Sequence, residues 1–419
     1  MATTDFEAVP AVAGEATARA GTVVMKFGGT SVGDSQKLKD VATRIVAAHS
    51  EGTRVVAVLS AMGDTPDDLV RLAYEISPTP EPRELDMLIS VGERISCALA
   101  AMAIHDLGHE AISLTGSQAG IVTDTAHGKA KIVDVRARRI HEALDEEKVV
   151  LVAGFQGVST AQEVTTLGRG GSDTTAVALA AALGANHCEI YTDVAGVFTA
   201  DPRIVSGARK LHAVTYDKML ELSASGAKVL QLRSVEVARN YGVKLHVRST
   251  FSDDDGTWVT EEDERMLEKA IISGVAHTFD EAVYRVRSVD RADLFDALAE
   301  SGVNVDTIIQ TGEEIVFSAP LADERDAEAA LNSAGAVRER IDGLAKISLI
   351  GAGMKSHPGV AARTFATLRE IGADPRFIVT SPIKISFFVD RDDAERTVVA
   401  LHEAFDLTAA GAEREHVEP

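Results

Sequence analysis

The stretch 165–184 constrains this chain most, because it joins a glycine-rich turn to a strong helix-forming run. Three glycines let the backbone turn sharply and bring its N–H groups close to a ligand: Gly168, Gly170 and Gly171. The alanine-rich run 176–183 predicts a helix that stops at Gly184, with N-cap residues in the segment 172–174. Unpaired N–H groups at a helix start favour anions, and Arg169 adds a fork for a carboxylate or phosphate. The alternative is a plain helix cap with a surface arginine.

Length and composition limit the classes of protein to which the chain can belong. At 419 residues the chain is expected to form two or three domains, and its 45% hydrophobic and 25% charged residues are typical of a soluble globular protein. A net charge of −22 argues against nucleic acid or anionic membrane as a partner. Cys97 and Cys188 lack metal-ligand spacing, so we expect buried free thiols in a reducing, cytoplasmic protein. We find no apolar run near the ~20 residues of a membrane span, and residues 1–21 are expected to be a disordered tail.

Strands followed by glycine turns and helices predict a parallel sheet. The strand 23–25 leads into Lys26-Phe27-Gly28-Gly29, where a lysine beside two glycines is placed to reach phosphate oxygens. This segment lacks the full Walker pattern and is not a P-loop. The run 54–59 is a second strand, and it ends in the polar turn 60–65. Function in such a sheet is expected at the carboxyl ends of the strands.

Two carboxylates lie at positions where a binding partner is expected. One long helix is predicted from Glu84 to Leu107, and it carries Glu93 among apolar neighbours. That charge is paired either with the adjacent Arg94 or with a cationic group of a ligand. Asp193 follows the strand 188–191 and could meet a nucleotide or its Mg²⁺, or form an ordinary turn-stabilising cap.

Five segments together resemble the aspartate kinase (aspartokinase) family, in its order and approximate spacing, over residues 23 to 250. They are Lys26-Phe27-Gly28-Gly29-Thr30-Ser31, Ser60-Ala61-Met62-Gly63-Asp64-Thr65, Gly92-Glu93-Arg94, Gly168-Arg169-Gly170-Gly171-Ser172-Asp173, and Thr192-Asp193 through Asp201-Pro202-Arg203. The resemblance implies an α/β fold of the amino-acid-kinase type, a mostly parallel sheet sandwiched by helices. The activity it implies is transfer of the ATP γ-phosphoryl group to the β-carboxylate of L-aspartate, at the head of lysine and threonine biosynthesis.

The resemblance also implies roles for individual residues. Lys26 would stabilise charge on the transferring phosphoryl group, and Asp173 would orient that lysine through an ion pair. Arg169 would bind the substrate α-carboxylate, and Glu93 its α-ammonium group. Ser60 and Thr65 would complete the aspartate site, with Thr65 as a hydrogen-bond donor.

The implied cofactor is ATP with Mg²⁺ carried by the nucleotide rather than by a metal site of the protein. Besides Lys26, the implied nucleotide-binding residues are Gly28, Gly29, Thr192, Asp193, Phe198, Arg203 and Lys228. Phe198 stands where the family would have tyrosine, which removes one hydroxyl contact worth about 1 kcal/mol.

The carboxyl half repeats itself at an offset of 70 residues. The matching pairs are Phe295/Phe365, Leu298/Leu368, Glu300/Glu370, Gly302/Gly372, Ile315/Ile385 and Phe317/Phe387. In the family these copies resemble ACT domains, α+β units of ferredoxin-like type that bind amino acids between paired subunits. We therefore expect a catalytic domain at 22–252, a linker at 253–270, ACT-like domains at 271–340 and 341–410, and a C-terminal tail at 411–419.

An amino-acid effector site and a homo-oligomer formed through ACT pairing are further expectations. The candidate effector-binding residues are Gly353, Met354, His357, Val360, Gln310, Thr380 and Ser381. The second repeat keeps a roomy loop at 351–359, whereas in the first repeat a strand ending near Val289 runs almost directly into a helix near Asp290. Pro382 also stands where relatives carry an acidic residue. We expect weakened or absent inhibition by lysine plus threonine.

Three alternatives stay open at the level of sequence. The chain could be a relative with another acceptor, although Arg169 with Glu93 favours a zwitterionic amino acid. It could be an amino-acid sensor with an inactive kinase fold, although Lys26 and Asp173 are both present. An internal start at Met266 could also make the carboxyl half as a separate subunit.

Overall fold

Strands and helices alternate through the first part of the computed structural model, which describes residues 21–261, 272–351, 354, 357 and 359–408. The strands are β1 (Thr22–Phe27), β2 (Arg54–Leu59), β3 (Ala111–Leu114), β4 (Ile121–Thr123), β5 (Ile132–Val135), β6 (Val149–Ala153), β7 (Gln156–Ser159), β8 (Val164–Thr166), β9 (His187–Thr192), β10 (Ala213–Thr215), β11 (Leu245–Ser249) and β12 (Thr257–Thr260). The helices are α1 (Ser35–Ser50), α2 (Thr65–Ile76), α3 (Pro82–Ile89), α4 (Val91–Asp106), α5 (Gly116–Ala119), α6 (Arg138–Asp145), α7 (Gly171–Ala182), α8 (Tyr216–Ala224) and α9 (Leu232–Tyr241).

An eight-stranded sheet in the order β10-β12-β11-β9-β1-β2-β6-β3 organises these elements. Its strand pairs are parallel except for β11 with β12. In the centre, Phe27 is in register with Leu59 of β2 and with Tyr191 of β9. The carboxyl ends of β1, β2 and β9 therefore meet at one edge, where parallel sheets of this kind place their ligands.

Helices cover both faces of this sheet, as expected. Helices α1 and α4 pack on one face, around a core that includes Phe27, Leu38 and Ile104. Helices α6 to α9 pack on the other face, around Val58, Val177 and Leu245. Because the central strands are buried on both sides, they are continuous apolar runs rather than alternating ones. A smaller sheet, in the order β5-β4-β7-β8, lies beside this unit.

The expected limit of the catalytic domain at residue 252 needs a correction. The acidic segment 253–256 is the turn between β11 and β12, and β12 pairs with both β11 and β10 of the large sheet. The side chains of Thr257 and Val259 are fully buried in this strand. Residues 257–260 thus belong to the catalytic unit, and the later part of the expected linker, including Met266, lies outside the described residues.

The helix expected from Glu84 to Leu107 is divided into α3 and α4 at Ser90. Together they form a segment, Pro82–Asp106, that is long and apolar enough to cross a membrane by length and composition, since an 18-residue window within it has a mean hydropathy of 1.6. No uninterrupted apolar run of that length is expected from the sequence, and charged residues such as Glu93 and Arg94 do interrupt this segment. Helix α4 packs against α1, β3 and β6 and carries the buried carboxylate of Glu93, as a core helix of a globular domain does.

The carboxyl half contains eight strands and four helices among the residues that the structure describes. They are β13 (Ile272–Thr278), β14 (Glu281–Arg287), α10 (Arg291–Glu300), β15 (Ile308–Thr311), β16 (Glu314–Pro320), α11 (Glu324–Ser333), β17 (Val337–Ile341), β18 (Leu344–Gly351), α12 (Val360–Ile371), β19 (Arg376–Ser381), β20 (Lys384–Asp390) and α13 (Ala394–Ala404). They form two four-stranded antiparallel sheets with two helices each, which is the expected pair of α+β units.

The first strand of this half belongs to the second unit. The two sheets have the orders β15-β16-β14-β17 and β13-β18-β20-β19, so β13 pairs with β18 across a gap of 65 residues or more. The expected division at 340/341 placed this strand in the first repeat. Its hydrogen bonds make the first unit, 281–341, an insertion within the second, because the internal repeat gives no sign of which sheet receives a flanking strand.

A buried lysine joins the two units. The ammonium group of Lys346 in β18 is 1% exposed and forms ion pairs with Glu281 (2.7 Å) and Asp306 of the first unit. Burial by itself lowers the pKa of Lys346, but the two carboxylates outweigh it and the pKa is raised. Removing one partner of a buried cluster like this leaves uncompensated charge, so the cluster stabilises the contact between the two units.

Candidate active site

An ion pair between Lys26 and Asp173 lies at the carboxyl edge of the large sheet. Lys26 is near the end of β1 and Asp173 is in the first turn of α7, and their Nζ and Oδ1 atoms are 2.6 Å apart. Both side chains are nearly buried, at 12% and 8% exposure. The structure thus brings together the two residues expected to be catalytic, in a place where the pair is poorly screened by water.

The helix after the glycine-rich loop begins earlier than the sequence indicates. Helix α7 starts at Gly171 rather than near Ala176, and Gly170 is its N-cap with a positive φ of 73°. Ser172, Asp173 and Thr174 lie inside its first turn and do not cap it. A side chain at Gly170 would collide with Gln231, at under 2 Å. No side-chain oxygen caps the helix, but the N–H groups of Gly171 and Asp173 donate to the carbonyl oxygens of Gly168 (2.9 Å) and Gly170 (3.1 Å). Of the first three N–H groups, that of Ser172 is therefore the one that remains able to bind an anion.

The two glycines after β1 leave room for a ligand next to Lys26. A Cβ atom at Gly28 would be 3.4 Å from Lys26 Nζ, and one at Gly29 would be 3.0 Å from the carbonyl oxygen of Ala61. The backbone here is tied to β2 and β9 by hydrogen bonds from Ser60 N to Phe27 O and from Gly28 N to Tyr191 O. A rigid, side-chain-free backbone beside an ammonium group suits phosphate oxygens.

Glu93 provides a buried carboxylate without an internal counter-ion. Its side chain is 3% exposed, and its Oε2 atom has no hydrogen-bond partner among the described residues. Burial raises the pKa of Glu93 to about 7, against smaller opposing effects of the backbone N–H groups of Glu93 and Ala61 and of the charge on Arg94. Arg94 instead donates hydrogen bonds to Gln156 and Ser90. The Glu93–Arg94 ion pair, which the sequence left open as an alternative, is therefore not formed.

The other residues expected to bind the substrate lie on turns at the same edge. Thr65 is the first residue of α2, and its hydroxyl donates to the carbonyl oxygen of Met62 at 2.6 Å. Gly92, before Glu93, lies so close to Ala61 that a Cβ atom there would be 2.6 Å from Ala61 Cβ, and Thr65 is its next neighbour at 3.8 Å. The turn after β2 and the start of α4 are thus in direct contact. Ser60 is half-buried at the start of that turn.

Arg169 is exposed, in a turn between two glycines of positive φ, Gly168 (76°) and Gly170 (73°). Within the part of the chain that the structure describes, its guanidinium group makes no ion pair with a carboxylate. An arginine on a glycine-flanked turn, two residues before the start of α7, keeps its planar guanidinium group available for a carboxylate ligand.

The residues expected to bind the nucleotide follow β9. The Thr192 hydroxyl donates to the carboxylate of Asp193 at 3.1 Å, and Asp193 itself is exposed. Phe198 is half-buried and forms a β-bridge with Lys210. Arg203 is 85% exposed and its guanidinium group donates to both oxygens of Asp201, with the shorter contact at 2.6 Å. This fork lowers the pKa of Asp201.

Lys228 connects the catalytic unit to the carboxyl half. Its ammonium group forms an ion pair with Asp280 at 2.5 Å, and Asp280 lies in the turn between β13 and β14. The preceding Gly226 has a positive φ of 107°, and a Cβ atom there would be 2.1 Å from the carbonyl oxygen of His277 in β13. Lys384 of β20 pairs with Glu221 of α8 at 2.9 Å. The contacts made by Asp280 and His277 could not be predicted from the sequence, because each joins residues far apart in the chain.

The candidate effector residues are divided between the two ACT-like sheets. Gln310 lies on β15 of the first unit, whereas Thr380 and Ser381 lie on β19 of the second. Val360 is the first residue of α12 and is buried, and its N-cap Gly359 has a φ of 123° with no side-chain cap. Met354 packs against the core of the second unit and His357 is exposed, while Gly353 lies outside the described residues.

Comparison with family models defines the class of protein that this fold and site represent. The amino acid kinase family model matches residues 21–249, which is more than half of the chain, and an ACT domain model matches residues 347–405. The first match ends within the large sheet, and the second covers most of the second α+β unit. The chain is therefore an amino acid kinase with an ACT-type carboxyl half.

Individual relatives narrow this class to one family. The aspartokinase of Mycolicibacterium smegmatis is 51% identical over 407 residues, covering 92% of this chain and 96% of that protein. The solved structure of E. coli aspartokinase III in complex with aspartate and ADP (R-state) matches with a TM-score of 0.80 and 25% identity, covering 91% of this chain and 99% of that one. The same enzyme in complex with lysine and aspartate (T-state) gives 0.70 and 26%, covering 92% and 99%.

This chain belongs to the aspartokinase family. That membership confirms the expected fold class and the expected enzyme class, an ATP-dependent aspartate kinase. The roles of single residues, the effector and the oligomer remain predictions.

Proposed function

We propose that the chain transfers the γ-phosphoryl group of MgATP to the β-carboxylate of L-aspartate, giving 4-phospho-L-aspartate, with Lys26 and Asp173 as the catalytic pair. The observation that carries this proposal is the 2.6 Å contact between them beside the side-chain-free backbone of Gly28 and Gly29. A lysine held in this way can place its charge where negative charge develops during phosphoryl transfer.

The chemistry requires no general base. An aspartate carboxylate has a pKa of about 3.9, so it is already ionised at neutral pH and can attack the phosphorus directly. The barrier is the repulsion between this anion and the phosphate oxygens, which positioning and positive charge must overcome. The oxygen–phosphorus bond to aspartate forms as the bond from the γ-phosphorus to the bridging oxygen breaks, and ADP leaves. Lys26 neutralises the oxygens of the group in transit, and Asp173 holds Lys26 in place.

The acceptor is recognised by its two charged ends. The partnerless Oε2 of Glu93 is available to the α-ammonium group, and the open guanidinium of Arg169 to the α-carboxylate. Ser60 and Thr65 complete the site from the turn after β2. A carbamate or nucleoside monophosphate would leave Glu93 buried without a cation, which disfavours those acceptors.

The nucleotide is assigned to the loop after β9 and to Lys228. Thr192, Asp193, Phe198 and Arg203 lie along that loop, and α7 begins at the same edge of the sheet with the Ser172 N–H uncapped. Mg²⁺, carried by the nucleotide, would neutralise phosphate charge when bound. Solved relatives in complex with ADP and with lysine support ATP as the phosphoryl donor and an amino acid as the effector of the ACT half. A cytoplasmic location and pairing of two copies through the ACT half belong to the same proposal.

An acceptor screen tests the proposal. The purified protein is incubated with MgATP and hydroxylamine, which traps acyl phosphates as hydroxamates, together with aspartate, glutamate or a longer homologue. We expect ATP-dependent hydroxamate with aspartate, and little with the longer acceptors because their side-chain carboxylate would overrun the position set by Glu93 and Arg169. Hydroxamate formed from glutamate and not from aspartate would establish the alternative acceptor, and ATP binding without product from any acceptor would establish the sensor.

A further inference from the structure

The loop that carries the proposed nucleotide residues is fastened to the second ACT-like unit through Thr199. This residue is fully buried, and each of its polar atoms is engaged. Its N–H donates to Arg209 O at 2.9 Å, and its carbonyl oxygen accepts from Val275 N of β13 at 2.8 Å. Its hydroxyl accepts from Arg209 N at 2.9 Å, donates to Leu407 O at 3.1 Å and contacts His402 Nε2 at 2.9 Å. The backbone and side chain of this one residue therefore join two stretches of the loop to β13, α13 and the segment after α13.

The Thr199 hydroxyl has no spare bonding capacity in this arrangement. A hydroxyl donates one hydrogen bond and accepts two. Since its proton goes to Leu407 O, both Arg209 N and His402 Nε2 must donate to its oxygen. His402 is fully buried in α13, and its other ring nitrogen has no partner among the described residues. Among the described residues, the imidazole ring therefore has one hydrogen bond, which joins its Nε2 atom to Thr199 of the loop.

Side chains of the same loop also form part of the ACT core. Ala200 and Val205 are buried in one apolar cluster with Val275 of β13 and Leu407. Ala208 makes a β-bridge with Thr408. Gly274 has no space for a side chain, because a Cβ atom there would be 2.8 Å from Thr199 O. The position of the loop therefore follows the position of the second unit.

We propose that Thr199 and His402 are positioning residues for ATP: their buried contact fixes the nucleotide loop on the second ACT-like unit. Thr199 lies directly after Phe198 and four residues before Arg203, so the loop cannot be shifted at Thr199 without moving both. Neither Thr199 nor His402 is placed in the aspartate site, so the contact affects the nucleotide and leaves the acceptor unaffected. This inference rests on the proposed nucleotide site.

Substitution of Thr199 by valine tests the inference, because valine keeps the shape and removes the hydroxyl. We expect the KM for ATP to rise about tenfold in T199V, equivalent to about 1.4 kcal/mol, because two donors and one acceptor lose their buried partner. The KM for aspartate and the kcat at saturating ATP should stay within about twofold, a range below that of one buried hydrogen bond. T199S, which keeps the hydroxyl, should restore most of the ATP affinity.

A matched control is available in the same unit. Thr364 is also fully buried, and its hydroxyl donates to Val360 O at 2.8 Å within α12. T364V removes a buried hydroxyl of equal size without touching the nucleotide loop, so its KM for ATP should be that of the parent. If T364V and T199V raise the ATP KM equally, the effect is a general loosening and the inference is wrong.

Direct binding separates this inference from the proposed activity. Calorimetric titration with a non-hydrolysable ATP analogue and Mg²⁺ measures the nucleotide affinity whether or not aspartate is the acceptor. His402→Gln, which offers an amide near the position of Nε2, should bind the analogue better than His402→Leu. Unchanged analogue affinity in both T199V and H402L would overturn the inference. If T199V does not fold, the comparison of H402Q with H402L decides it.

Discussion

Glu93 is a buried carboxylate that forms no ion pair with any residue that the structure describes. Such a group is costly to ionise, which is why burial raises its pKa to about 7. An aspartate α-ammonium group would supply the missing charge, and binding would then lower the pKa of Glu93. Substrate affinity and the protonation of Glu93 are therefore linked, and aspartate should bind less tightly as the pH falls through about 7.

Removal of the Glu93 charge should affect binding and stability in opposite directions. The folded state holds the Glu93 proton up to about pH 7, whereas the ordinary pKa is 4.5, so the free energy of unfolding falls as the pH rises between these values. We expect Glu93→Gln to have a higher Tm than the parent at pH 8, a difference that shrinks towards pH 5.5, and a KM for aspartate at least about tenfold higher. Thermal unfolding at several pH values and aspartate titration measure both.

The exposed Glu75 on α2 supplies the control for this experiment. Glu75→Gln changes the same charge without burial, so neither Tm nor the KM for aspartate should move. A lower Tm for Glu93→Gln at pH 8, or an unchanged KM for aspartate, would contradict the role given to Glu93.

Lys26 should matter to the chemical step rather than to folding. Lys26→Met removes the positive charge next to the transferring group, and we expect kcat to fall by about 10²–10³ or more, the range for loss of one preorganised charge-stabilising group. Lys39→Met, on the exposed side of α1, should leave kcat unchanged. Retention of more than about a tenth of kcat in Lys26→Met would show that the assignment is wrong.

At the scale of elements, the first ACT-like unit lacks a loop in which to hold an effector. Strand β14 ends at Arg287 and α10 starts at Arg291, so three residues connect them. The carboxylate of Asp290 caps α10 by accepting from the N–H groups of Ala292 and Asp293. Those are the N–H groups that would hold an amino acid's carboxylate at a helix start, and here an acidic side chain of the protein occupies them.

Feedback inhibition is therefore expected to be weak. We expect lysine and threonine, singly or together, to half-inhibit the enzyme only above about 1 mM, an affinity weaker than about −4 kcal/mol. The measurement is a titration of both amino acids at fixed aspartate and ATP. Half-inhibition at sub-millimolar concentration would show that the second unit, with its open start at Val360, provides a sufficient site.

The sequence predicts elements well where the signal is local. The glycine-rich loop, the buried strands and Lys26 at the end of β1 follow from residues next to one another, and the resemblance adds the pairing of Lys26 with Asp173. The start of α7 is predicted too late because Gly170 and Gly171 have low helix propensity, whereas packing against Gln231 and Leu167 favours the helix. The contacts of Thr199 and of β13 are not predictable locally, since each joins segments tens to hundreds of residues apart.

At the scale of the whole molecule, the ACT half has sheet edges that none of the described strands pairs with. Strands β15 and β19 are edge strands, and each carries an exposed isoleucine, Ile308 (52%) on β15 and Ile378 (45%) on β19. Unpaired edges with apolar side chains favour association with another chain. The outer edge of β13, by contrast, is occupied where Val275 N donates to Thr199 O.

We expect the protein to sediment as a dimer or larger homo-oligomer, and Ile308→Asp or Ile378→Asp to weaken that assembly by adding a charge at a paired edge. Tyr241→Asp, at a still more exposed apolar position on α9 of the catalytic unit, is the control and should not change the assembly. Sedimentation velocity over a range of concentrations distinguishes these cases. A wild-type chain that stays monomeric at all concentrations would contradict ACT pairing.

The position of β13 also fixes an order of events during synthesis on the ribosome. Strand β13 is made about 70 residues before β18, its partner in the second ACT-like sheet, and the whole first unit is made in between. Domains generally fold from the amino terminus as they emerge. The catalytic unit is complete by then and offers the backbone of Thr199 as a docking edge for the nascent strand. We therefore expect β13 and the Thr199 loop to settle on each other early, and both to reach their final positions when β18 completes the second ACT-like sheet.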